Sequence, residues 1–201
     1  SRADLGQRWL DTYLRSPIWR FALLPGVIGP TAWAGLLMPS VDKVGRHFPL
    51  TFAVSLENRP ATVAGILATD GWYDALEELA LATLNVDFSP ERLETELAAL
   101  SFPTQETHIH DSAAHQLAAW CRAPSPACSI KLPALDALPG VWATAAHDLL
   151  IGYAAGKSLW WTRAESAGPA RLCCFTGLPP EEQFAGLLEG TMLSAISEQH
   201  F

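Results

Sequence analysis

SPIWRFALLPGVIGPTAWAGLLMPSVDKVGRHFPLTFAVSL, residues 16–56, is the stretch whose reading decides the fold. Ile18 to Leu24 is a strand candidate rich in large side chains, and Pro25-Gly26 and Gly29-Pro30 break the chain after it. Ala32 to Met38 reads as a second strand closed by Pro39-Ser40. From Phe48 to Leu56 the apolar residues Phe48, Leu50, Phe52, Val54 and Leu56 recur with period two, which predicts a third strand. Connections this short favour an antiparallel meander. Gly26, Gly29 and Gly35 form no phosphate-binding fingerprint and read as turn residues.

Outward from this block the periodicity changes. Leu5, Trp9, Leu10, Tyr13 and Leu14 have helical spacing, and Pro17 stops that helix near Ser16. The chain starts almost inside this helix, which suggests residues upstream. Asp70 is placed to cap a helix with Trp72, Leu76, Leu79 and Leu84 inward. Ser89-Pro90 starts another that runs to about Leu100. Asp111 or Ser112 opens a third, through Leu117 and Trp120, ending near Pro124. Four prolines between Ala123 and Pro139 predict a loop, and Ala143 to Ala154 reads equally as short helix or strand. Ser158–Arg163 and Arg171–Thr176 predict a hairpin, and Pro179-Pro180-Glu181-Glu182 opens a helix with Phe184, Leu187 and Leu188 inside. Strands in blocks and helices in blocks predict an α+β fold, a mostly antiparallel sheet with helices packed on it.

The composition bounds function. The 201 residues are 49% hydrophobic and 17% charged, which argues against disorder, and the net charge of -8 removes the basic footprint of a nucleic-acid binder. No apolar run reaches the ~18 residues of a membrane span. Cys121, Cys128, Cys173 and Cys174 show no CxxC spacing, so reduced, buried thiols in a cytoplasmic setting are the simplest reading.

Catalytic signatures are weak. His108, His110, Asp111 and His115 form the best metal candidate, with Asp111 and His115 one helical turn apart, but the spacing matches no established zinc motif. No serine sits in a nucleophile elbow, and His147-Asp148 are only sequence neighbours. Glu77-Glu78 and Glu181-Glu182 read as solvated helix faces. No catalytic, metal or cofactor-binding residue is assigned.

Surface recognition is the better candidate. Asp42, Lys43, Arg46 and His47 crowd the connection between the second and third strands. Asp42 can cap a short turn with Arg46 paired to it, and the same loop can present a charged recognition surface. Trp160 and Trp161, adjacent on a strand, point to opposite faces, so one joins the core and the other is covered or offered as a partner anchor. Trp19 and Arg20 raise the same choice.

These residues also carry a resemblance. Ser16 to Phe21, Gly29-Pro30 with Ala32-Trp33 and Gly35, and the unbroken block Met38 to Thr51 are similar to the signature of the TagF (ImpM) family. Asp70 to Tyr73, Ser158 to Trp161 and Cys174 to Pro179 resemble later parts of it. The resemblance implies a single TagF-like domain over residues 1–201. It implies a cytoplasmic, non-enzymatic repressor of bacterial type VI secretion that acts after translation by engaging a forkhead-associated scaffold protein. The family pattern opens with a glycine-rich strand absent here, which implies that the sheet lacks a strand. A structural component of the secretion apparatus and a metal-dependent hydrolase are the alternatives.

Overall fold

The computed structural model describes residues 9–42, 44–57, 63–85, 87–103, 112–122, 127–132, 134–163 and 170–190. Helix α1 (Trp9–Leu14) leads into strands β1 (Trp19–Leu23), β2 (Trp33–Met38) and β3 (Leu50–Ser55). Helices α2 (Val63–Leu67), α3 (Asp70–Ala82), α4 (Pro90–Ala99), α5 (Ser112–Arg122) and α6 (Leu138–Ala154) follow. The hairpin β4 (Lys157–Thr162) and β5 (Arg171–Thr176) comes next, then α7 (Phe184–Glu189). The five strands form one antiparallel sheet in the order β3-β2-β1-β4-β5, so the fold is α+β.

Strand β1 is central and buried along its whole length. Its alternate residues face two different layers, as the pleat requires. Ala22 and Leu24 join Ala34, Leu36, Met38 and Phe52 beneath α3, which contributes Trp72, Tyr73 and Leu76. Full burial of each such large side chain stabilises by about 1.5–3 kcal/mol. On the opposite face Trp19, Phe21 and Leu23 pack with Trp160 and with Leu187 of α7. Helices α5 and α6 pair through a third cluster of their own, Ala113, Ala114, Ala118, Val141 and Ala145.

Several local expectations change. Asp70 is the first residue of α3 and Thr69 precedes it; the Thr69 hydroxyl donates to the Ile66 carbonyl and so caps nothing. Asp70 instead places a carboxylate at the positive end of the helix dipole. Leu84 lies past the helix end and is exposed. Gly35 is a strand residue, not a turn residue: a Cβ there would collide with the Phe52 carbonyl and the Phe21 ring, so only glycine lets β1, β2 and β3 lie this close. By contrast, Ser89 caps α4 as expected, accepting from the Arg92 amide with Pro90 in the first turn.

Residues 143–154 are helical, and α6 begins earlier, at Leu138, after a 3-10 turn over Leu135–Ala137. Pro139 sits in its first turn, where a missing N–H costs little. Phe184 is exposed, not inward, because α7 is a short helix that buries only Leu187 deeply before ending at left-handed Gly190. Phe48 is also exposed, lying outside β3.

Candidate partner interface

The connection between β2 and β3 is folded around one carboxylate. Asp42 Oδ1 accepts from the Val44 amide at 3.0 Å and the Arg46 amide at 2.8 Å, and Asp42 Oδ2 accepts from Arg46 Nε at 2.6 Å. The Asp42 amide donates to the Arg46 carbonyl at 3.0 Å, and Val41 and His47 form an isolated antiparallel bridge. Gly45 takes φ 80°, a left-handed conformation that a side chain would strain. The Arg46 amide holds the Asp42 carboxyl below its usual range against the opposing effect of desolvation, with the Arg46 guanidinium and the Val44 amide adding to it. Lys43 lies outside the described residues.

The base of this loop is clamped to α1. Tyr13 Oη donates to the Ser40 carbonyl at 3.0 Å and accepts from the Ser40 amide at 2.9 Å. The His47 ring meets Trp9 and Tyr13 edge-on, with centroids 5.5 and 6.0 Å away. Among its described residues the loop offers to solvent Val41 and Val44, the latter 76% exposed, the Arg46 side chain, 74% exposed, and Phe48, 47% exposed. Arg46 is thus paired and accessible at once. A tip ordered before contact loses little further freedom on binding.

The other candidates lie elsewhere. Trp19 is 1% exposed, and its Nε1 donates to the Leu187 carbonyl at 3.0 Å. Trp160 is buried beside Phe21, and its Nε1 donates to Ser158 Oγ. Trp161 is half-buried, with its ring edge-on to Tyr73. The central position of β1 and β4 buries both faces of the tryptophan pair, so neither presents an open anchor.

Arg20 is 3% exposed and belongs to the interior. It faces Asp70, Asp74 and Glu77, which line one side of α3 at helical spacing. Arg20 donates to Asp74 at 2.6 Å and to Glu77 at 2.7 and 3.2 Å, with Asp70 3.9 Å away. Its guanidinium lies 5.7 Å from the centre of the Tyr73 ring. Burial opposes its charge, but the bonds to Glu77 and Asp74 outweigh it and raise the pKa. Glu77 is therefore not a solvated surface carboxylate but a structural partner. Arg163 reaches the same Asp74 at 3.0 Å from the solvent side.

Of the metal candidates, His108, His110 and Asp111 lie outside the described residues. His115 sits on α5 with Nδ1 3.1 Å from Asp148 Oδ2 of α6, so Asp148 bridges two helices. Among the described residues no group of three or more His, Cys, Asp or Glu could hold a metal ion. The thiols are not buried as expected: Cys121, Cys128 and Cys174 are exposed, and only Cys173 is half-buried, with its pKa raised chiefly by burial. Cys173 and Cys174 do take opposite faces of β5: the Cys173 face packs beside Trp160, and the face that carries Cys174 and Leu172 is open to solvent.

Residue-by-residue reading missed the apolar tip residues Val44 and Phe48 beside the charged ones, and the exposed side of α6. The signal for α6 was its composition, apolar all round with hardly a charge. No described helix is long and apolar enough to cross a membrane.

Residues 1–100 match the TagF N-terminal domain, described as type VI secretion system-associated. The fold is similar to the crystal structure of PA0076 from Pseudomonas aeruginosa PAO1, with a TM-score of 0.72 and 32% identity, over 100% of this chain and 82% of that one. A search of curated proteins finds no significant match. With its strand block, its Met38–Thr51 loop and these two similarities in agreement, the chain belongs to the TagF family of type VI secretion system-associated proteins.

Proposed function

We propose that this protein is a cytoplasmic negative regulator of type VI secretion that acts after translation by binding another protein, without catalysis. The partner we propose is the forkhead-associated scaffold protein of the secretion system, and the chain acts as one TagF-like unit. The observation that carries this reading is the loop from Val41 to Phe48. Its own carboxylate and the Tyr13 clamp fix its shape, while Val44, Arg46 and Phe48 are turned outward. Apolar residues flanking an accessible cation suit a protein surface of complementary charge. Lys43 and His47 extend the same segment, whereas Trp19, Arg20 and Trp160 are buried in the sheet and its helix contacts, away from the loop.

The test is binding of the purified scaffold protein to wild-type chain and to Arg46→Glu, by calorimetry, with secretion measured in cells carrying each allele. Arg46 is exposed, so the variant is expected to fold normally and to lose affinity by about tenfold or more. A folded Arg46→Glu protein that binds as wild type removes this loop as the site. Absence of any complex with the wild-type chain removes the scaffold as the partner.

A further inference from the structure

Helix α6 buries one side against α5 and leaves the other open. Val141 and Ala145 are inward, and Asp148 takes His115 across the helix pair. At about 100° per residue, Leu138, Trp142, Ala146, Leu150 and Tyr153 share a stripe about 120° wide that flanks the buried side. Trp142 is 59% exposed, Tyr153 73%, Leu150 57% and Leu138 45%, and Leu135 just before the helix is 80% exposed.

We propose that this stripe is covered by the same stripe of a second copy of the chain, the two α6 helices crossing antiparallel on a two-fold axis at Ala146. Trp142 and Leu150 lie four residues on either side of it, so the indole of each copy meets Leu150 of the other. Ala146, small and exposed, allows close approach at the crossing point.

Charge and area favour a copy of this chain. The protein carries -8, yet its open stripe holds no charged residue, so two copies meet there without facing like charges. No Lys or Arg lies between Ala134 and Gly156, so the stripe itself offers no cation to an anionic lipid surface. The five large side chains expose on the order of 600 Å² per copy, or about 1,200 Å² in a pair, the lower bound for a specific interface. The dimer is therefore weak, in the micromolar range.

Sedimentation velocity from about 1 to 200 µM tests this range. The wild-type chain is expected to pass from monomer to dimer. Trp142→Glu is expected to raise the dissociation constant by about 100-fold or more with an unchanged circular dichroism spectrum. Ala146→Glu, at a site already open to water, is the second variant should Trp142→Glu misfold. A wild-type monomer at the highest concentration overturns the proposal, as does a dimer that persists in either folded variant, and so does an apolar partner protein that binds the stripe of a non-dimerising chain.

Discussion

Replacing Arg20 with Met removes a 3%-exposed cation that joins β1 to α3. Breaking a fully buried ion pair from one side costs about 3–5 kcal/mol. Here the cost is reduced, because Asp74 is 37% exposed and keeps Arg163 at 3.0 Å, and Asp70 is 77% exposed and contributes little. Glu77 bears most of the loss: it is 16% exposed, and Arg20 is its bonded cation at 2.7 Å. The expected destabilisation is about 2–4 kcal/mol, which for a chain this long lowers the thermal midpoint by roughly 5–15 °C. Urea unfolding followed by tryptophan fluorescence and circular dichroism measures it. The double variant Arg20→Met with Glu77→Leu replaces the pair by apolar groups and is expected to recover at least about 1 kcal/mol of the loss. A single variant within about 0.5 kcal/mol of wild type, or a double variant no better than the single, would refute the assignment of Arg20 as an interior tie.

Two further outcomes concern the loop and the sheet. The folded Asp42 carboxyl sits below its unfolded range, so its contribution is complete above the ordinary aspartate value and is lost as pH falls through the depressed one. The Val44 and Arg46 amide resonances should hold still from pH 7 to about 5 and move only below about 4; a midpoint at or above the ordinary aspartate value contradicts the cap. Gly35→Ala should destabilise by at least about 1–3 kcal/mol in urea, since the Phe52 carbonyl and Phe21 ring both have to shift, and a neutral result would show that β1 and β2 tolerate wider spacing.

The fold was legible where the chain states its period clearly. Phe48 to Leu56 alternates and β3 forms there; Ser89-Pro90 is a cap followed by its favoured first residue, and α4 starts on cue. What failed was governed by distant packing. Nothing local distinguishes Trp19-Arg20 as interior, because that depends on β1 taking the central place between β2 and β4. Glu77 looked like half of a solvated pair until α3 turned it toward Arg20. Residues 143–154 could not be assigned by periodicity because a helix apolar all round has no period to read. At the candidate interface the Asp42–Arg46 pairing was readable from local spacing. The clamp from Tyr13, 27 residues away, was not.

Two hydrogen bonds run in opposite directions between Tyr13 and Ser40, one given and one received by the same phenol oxygen. Together they restrain both sliding and rotation of the segment that carries the turn. Helix α1 and the loop are therefore tied together at Ser40. Tyr13→Phe would remove both bonds and leave the ring contacts of His47 with Trp9 and residue 13 as what still joins this helix to the turn.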